Sequence, residues 1–166
     1  HKLWQQDESN RHYGLQITLA HLNLNQWAAA ERILNTLQKH HKNDPLLLSL
    51  MVRSLEGQNK PSQCLTVLRQ LAKHDPLRAR TAIEKFSHWS EQDTQTIQVA
   101  QLLVDLNPTD AQAFANLGRL YLSRNQQDAA LAAYRRAVKL EPSKDNHRLA
   151  TIDILKNLGR RSEYLS

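Results

Sequence analysis

The sequence predicts an all-α fold, and its composition and helical periodicity both point to it. It contains 4 glycines and 5 prolines in 166 residues, so few positions would interrupt a helix. Val, Ile, Tyr and Phe show no sustained alternation with polar residues, which argues against β-strands. The stretch from Ala113 to Pro142 shows two amphipathic helical patterns joined by a short polar turn. This arrangement predicts an antiparallel helix hairpin.

Within this stretch, residue sizes suit two helices that cross closely. Gly118 and Ala130 are small at the expected crossing, and Tyr134 is large enough to fill the space beside them. Asn125 falls where the first helix should end in a left-handed residue, a conformation that asparagine tolerates. Pro142 follows the second helix, where an amide donor is no longer needed. Each local choice therefore agrees with a hairpin.

The spacing of eight residues in 111–144 resembles that of a tetratricopeptide repeat (TPR). The pattern is aromatic, Leu-Gly and Tyr in the first helix, followed by Ala, aromatic, Ala and Pro. The matching residues are Phe114, Leu117, Gly118, Tyr121, Ala130, Tyr134, Ala137 and Pro142. The resemblance implies a TPR-type α-solenoid, in which each antiparallel hairpin buries an apolar face against its neighbours.

Similar patterns on both sides of this unit indicate about four repeats and a partial fifth. The predicted units are 11–44, 45–76, 77–110, 111–144 and a partial unit at 145–166, and residues 1–10 are expected to be a tail or the remnant of an upstream helix. Asp44 and Pro45 supply an N-cap and a first-turn proline for the second unit. In 77–110 the first helix fits only when shifted by one residue, after a link about three residues shorter than standard.

The motifs that carry common enzymatic chemistry are missing from the sequence. It has no His-Glu-x-x-His helix, no pair of cysteines, no glycine-rich phosphate loop and no Gly-x-Ser-x-Gly. Cys64 takes the small position that Ala130 holds in 111–144, so we interpret it as a core residue. His40 and His41 would point about 100° apart on a helix and would not converge on one metal. We therefore expect no catalytic residue, no metal and no cofactor.

The charge and hydropathy limit the classes of partner. The net charge is +6 and the pI about 9.7, but the basic residues are scattered and the aromatics fall on core positions, which disfavours nucleic acid. No apolar run reaches the roughly 20 residues that span a bilayer. The chain starts at His1, so we interpret it as part of a larger protein. A bacterial cytoplasmic or periplasmic location fits, with a membrane anchor outside this segment as one option.

The resemblance also implies which residues line a concave groove on the first helices of the hairpins. The candidate partner-binding residues are Leu15, Leu19, Leu22, Leu46, Leu50, Arg53, Arg80, Asn116 and Arg119. The N-terminal part of this set is apolar, and the C-terminal part is polar and cationic. A partner helix or peptide could place apolar side chains on the leucines, and an acidic or C-terminal carboxylate on the arginines.

The predicted function is that of a non-enzymatic protein-interaction scaffold or adaptor within a larger bacterial assembly factor. Two alternatives remain for the chain as a whole: an accessory domain of an enzyme whose catalytic part lies elsewhere, or a dimerisation module. Three alternatives also remain for the apolar part of the groove. It could be covered by the chain's own Leu3–Trp4 segment, by an upstream repeat, or by a second copy in a homodimer.

Overall fold

A computed structural model describes residues 10–84 and 94–163, and these residues form nine α-helices and one short 3-10 helix without any strand. The all-α prediction is confirmed. The chain divides into two compact units, His1–Ser87 and His88–Ser166. The first contains α1 (Arg11–Asn23), α2 (Trp27–His40), α3 (Pro45–Gly57), α4 (Pro61–His74) and α5 (Pro76–Glu84). The second contains α6 (Thr94–Leu106), α7 (Ala111–Ser123), α8 (Gln127–Leu140), α9 (Asp145–Asn157) and the 3-10 helix Arg161–Glu163.

In the first unit, every helix packs against the next one along the chain. The first helices of successive hairpins also meet, because α3 contacts both α1 and α5. The core between them is mostly aliphatic, and its largest fully buried side chains are Leu22, Leu34, Leu37, Leu47, Leu48, Val52, Leu68 and Leu71, with Cys64, Thr18 and Ser54 among them. This arrangement leaves the outer faces of α1, α3 and α5 to form a continuous surface within the unit.

The second unit is built around the hairpin of α7 and α8. Gly118 lies so close to Tyr134 that a Cβ atom added to the glycine would be 2.7 Å from the tyrosine Cδ2. Ala130 is fully buried in the same cluster, to which Ile154 and Leu155 of α9 also belong. The predicted close crossing is therefore confirmed, and the space beside Gly118 is filled by the tyrosine ring.

Four hairpin turns share one backbone geometry. Two residues after the first helix of each hairpin ends, the chain adopts a positive φ: Asn25 (56°), Asn59 (54°), Asn125 (56°) and Gly159 (69°). In each turn the next amide bonds back to a carbonyl in the last turn of the helix, as in Gln126 N to Tyr121 O at 2.9 Å. This is the Schellman motif, which satisfies the last carbonyls of a helix. The left-handed residue predicted at Asn125 is confirmed.

The links between hairpins differ in length. Four residues separate α2 from α3, whereas Asp75 is the single residue between α4 and α5. The shortened link predicted before the first helix of the third unit is therefore confirmed. Asp44 also acts as predicted, because its Oδ1 accepts hydrogen bonds from the amides of Leu46 (2.9 Å) and Leu47 (3.4 Å). Burial raises the pKa of Asp44, but its hydrogen bonds from Arg11 and these amides outweigh that effect and lower it.

Some predictions lie outside the described residues. They are the Leu3–Trp4 cover and nearly all of the proposed tail at 1–10, together with residues 85–93 in the third unit and the last three residues of the chain. Among the helices that are described, none is both long and apolar enough to cross a membrane.

Candidate functional site

A pocket of about 280 Å³ lies between α3 and α5 in the first unit. It is lined by Ser49, Leu50, Val52, Arg53, Glu56, Arg78, Thr81 and Ala82. Leu50 and Val52 are 8% and 1% exposed, so they form a largely buried apolar floor. Arg53 and Arg78 are exposed and stand at the rim. The pocket thus combines an apolar interior with a cationic edge.

The polar groups of the pocket differ in how far their hydrogen-bonding capacity is used. The hydroxyls of Ser49 and Thr81 donate to the carbonyls of Leu46 (2.8 Å) and Leu77 (3.0 Å) in their own helices. Arg78 Nε donates to Asp75 Oδ2 at 3.2 Å, which leaves its terminal nitrogens outside that bond. Arg53 makes no ion pair or hydrogen bond with any residue in 10–84 or 94–163. Arg53 is therefore the cation most available to a ligand.

The predicted leucines are placed differently from one another. Leu19 is 42% exposed and Leu15 and Leu46 are half-buried, so all three contribute to the outer surface of α1 and α3. Leu22, however, is completely buried, and it cannot touch a partner while the helix stays folded. Its assignment to the groove is corrected: it is a core residue in the last turn of α1. Leu50 is 8% exposed and lines the pocket.

Arg80 is absent from the residues that line the pocket, and Arg78 is present in its place. The two positions are about 200° apart around a helix, so they cannot share a face. Arg80 Nε lies 3.2 Å from Glu84 Oε1, an ion pair along α5 itself. Thr81 and Ala82, about one helical turn beyond Arg78, are the other α5 residues in the lining.

Two further predicted residues lie in the second unit. Asn116 and Arg119 are both exposed on α7. The Asn116 side-chain oxygen accepts a hydrogen bond from Gln112 Nε2 at 3.1 Å, so the two amides form a pair along the helix. They offer polar contacts on a helix surface of the second unit.

Groups capable of other chemistry are not assembled into a site. In the two described stretches, no three His, Cys, Asp or Glu side chains come close enough to hold a metal ion. Cys64 is fully buried, and its Sγ lies 3.7 Å from the carbonyl oxygen of Val52. Burial, with a smaller contribution from the charge of Glu56, raises the pKa of the Cys64 thiol to about 12. The interpretation of Cys64 as a core residue is confirmed.

Cys64 is expected to resist thiol reagents in the folded chain. Its pKa is about 12 instead of the usual 9.0, so the thiolate fraction at pH 8 should be about 10³-fold lower, and burial adds a steric barrier. The measurement is the rate of reaction with a colorimetric disulfide reagent, for native chain and for chain unfolded in urea. Equal rates in the two states would contradict the buried position.

The hairpins, their shared turns and the pocket on their first helices define the class: an all-α helical repeat protein. Residues 111–144 match the family model described as tetratricopeptide repeat. The resemblance predicted from the sequence is therefore confirmed for this repeat, and the fold is of the TPR α-solenoid class. This family supports, in general, a protein-interaction scaffold. No curated protein matches the chain in sequence.

Solved structures of proteins called MamA share this fold. One, a crystal structure of MamA, gives a TM-score of 0.57 at 18% identity, covering 93% of this chain and 85% of that chain. Another, MamA from residue 41 to its end from Desulfovibrio magneticus RS-1, gives a TM-score of 0.52 at 22% identity, covering 95% of this chain and 88% of that one. At such identities the likeness concerns the fold alone.

Proposed function

We propose that this chain is a non-enzymatic scaffold that binds a peptide or helix of a partner protein on the first helices of its hairpins. The observation that carries the proposal is the pocket between α3 and α5, in which an apolar floor meets Arg53, an exposed arginine without a partner in the described residues. Such a combination of apolar anchor site and cation is the usual composition of a peptide-recognition groove.

The leucines beside the pocket support the same function. Leu15 and Leu19 are one helical turn apart on α1, and Leu46 lies on α3, which contacts α1. A partner that covered about 300 Å² of this apolar surface would gain roughly 7 kcal/mol before the entropy cost of binding. Micromolar association needs a net gain of about 8 kcal/mol, so the ion pairs and hydrogen bonds at the pocket must add to this apolar contribution.

Asn116 and Arg119 give the second unit a polar, cationic surface for the same partner or for another one. We place the chain within a larger bacterial assembly factor, where it would recruit client proteins. An enzyme's accessory domain and a dimerisation module are the competing functions. A catalytic motif elsewhere in the full-length protein would favour the first, and a concentration-dependent mass in light scattering would favour the second.

The test is a capture experiment with matched variants. The wild-type chain, Arg53→Glu, Leu19→Asp and Arg69→Glu are immobilised and exposed to an extract of the source organism, and retained proteins are identified by mass spectrometry. Arg69 is an exposed arginine of the second helix α4, so its variant controls for charge reversal outside the proposed surface. Circular dichroism first establishes that all four chains are equally helical.

The expected result is a retained protein that is lost with Arg53→Glu and Leu19→Asp and kept with Arg69→Glu, with a loss of at least tenfold in the amount bound. A set of retained proteins that is the same for all four chains would contradict the proposal, as would a partner lost equally with Arg69→Glu.

A further inference from the structure

We propose that the pocket between α3 and α5 recognises an internal peptide segment in which an aliphatic side chain is followed or preceded by an acidic one. This inference rests on the proposed function and names the chemistry of the partner at that site. The aliphatic side chain enters the pocket over Leu50 and Val52, and the acidic side chain reaches the guanidinium groups of Arg53 and Arg78 at the rim.

The lining of the pocket suits an aliphatic side-chain anchor. The pocket's volume of about 280 Å³ has room for such a side chain together with part of a peptide backbone. The buried lining residues Leu50 and Val52 and the half-buried Ala82 are aliphatic, and none is aromatic, so no surface for stacking a flat ring is present in the lining. A branched aliphatic side chain matches this lining, and the adjoining peptide backbone would occupy part of the remaining space.

The charges of the pocket select an anionic neighbour for this anchor. Arg53 forms no ion pair or hydrogen bond with a described residue, and Arg78 uses only its Nε, towards Asp75. Guanidinium groups bind carboxylates through two parallel hydrogen bonds, and these bonds gain strength at the edge of an apolar cavity. A carboxylate on the ligand would therefore satisfy donors that the chain itself leaves unused.

The position of the charges also distinguishes an acidic side chain from a chain end. Glu56 is half-buried and belongs to the pocket lining, so the lining includes a carboxylate as well as the two arginines. A terminal carboxylate attached to the anchoring residue would be brought towards Glu56, which raises the cost of burying it. An acidic side chain on a neighbouring residue can instead extend to the exposed arginines and keep its charge outside the cavity.

The hydroxyls of Ser49 and Thr81 complete the recognition of a peptide. Both hydroxyl protons are already donated to backbone carbonyls, so their oxygens can act only as acceptors towards a ligand. The backbone N–H groups of an extended peptide are donors that these oxygens could accept from. The pocket thus offers acceptors for a peptide backbone, donors for a carboxylate and an apolar cavity for a side chain.

The probe for the test is a capped seven-residue peptide with the sequence Gly-Ser-Glu-Leu-Glu-Ser-Gly, acetylated and amidated at its ends. Three relatives accompany it: one with glutamine for both glutamates, one with alanine for leucine, and one uncharged peptide that ends in leucine with a free carboxylate. Each is titrated into the full 166-residue chain labelled with ¹⁵N, and dissociation constants are taken from amide shifts in NMR spectra. The variants are Arg53→Gln, Arg69→Gln as the control, and Ala82→Leu, which fills the cavity without changing charge.

The glutamate–leucine peptide is expected to shift amides of α3 and α5, and to bind about tenfold more weakly to Arg53→Gln and to Ala82→Leu. Arg69→Gln should bind as the wild type does, and the glutamine and alanine peptides should each bind at least fivefold more weakly. No shift up to about 5 mM, or tighter binding of the peptide with the free terminus, would overturn the inference. If capture of a partner still depends on Arg53, only this inference fails and the proposed function stands.

Discussion

Leu22→Asp is expected to lower the free energy of unfolding by about 4 kcal/mol, whereas Leu19→Asp on the same helix should cost less than about 1 kcal/mol. Leu22 is completely buried, so the substitution removes an aliphatic side chain from the core and places a carboxylate there without a partner. Leu19 is 42% exposed, and a carboxylate at that position stays hydrated. Urea unfolding followed by circular dichroism measures both values.

This pair also tests whether the apolar face of α1 is open. The two leucines lie three residues apart on one helix, so helix propensity and macrodipole effects are nearly matched between them. A cost at Leu19 as large as that at Leu22 would mean that the face is covered in the intact chain, by its own residues or by a second copy. Repeating the Leu19→Asp measurement at several protein concentrations separates these two cases, since a dimer is more stable at high concentration.

Gly118→Ala is expected to destabilise the chain by about 1–3 kcal/mol, although the same change in an ordinary helix interior would stabilise it by roughly 1 kcal/mol. The sign reverses because the new Cβ would lie 2.7 Å from Tyr134 Cδ2 and 2.8 Å from Cε2. Tyr134 is only 9% exposed, so its ring cannot move aside into solvent. The measurement is again the free energy of unfolding in urea.

A double-mutant cycle with Tyr134→Ala provides the control for this prediction. In the Tyr134→Ala background the ring is gone, and Gly118→Ala should recover its usual stabilising effect. If Gly118→Ala remained destabilising without the ring, the close approach of the tyrosine would not be the cause.

The sequence was informative wherever a local rule determines the structure. Asn125 and Pro142 follow from the chemistry of helix ends, and Asp44 follows from the preference of aspartate for the N-cap. The small residues Gly118 and Cys64 indicated close packing, because a larger side chain has no room at those positions. These features depend on a few neighbouring residues, so a pattern along the chain is enough to find them.

The candidate site was less predictable, because it depends on the angular position of each residue around its helix and on how deeply its side chain is buried. The family pattern placed Arg80 in the groove, but Arg78 lines the pocket instead. These two positions lie about 200° apart around a helix, so an error of two residues in the register assigns the groove to the wrong side chain. The burial of Leu22 was missed for a different reason: the pattern gives a residue's direction around the helix, but not how far the neighbouring chain covers it.

The repeated asparagine turns have a consequence for how the chain folds. Three residues close the hairpin in each turn, as Leu24–Gln26 do between α1 and α2, so the contacts that form first join segments close in sequence. The entropy lost in closing such a short loop is small, and proteins dominated by local contacts cross their folding barrier quickly. Each unit can therefore start to fold at any of its hairpins, and a chain emerging from the ribosome need not wait for its C-terminus before structure forms.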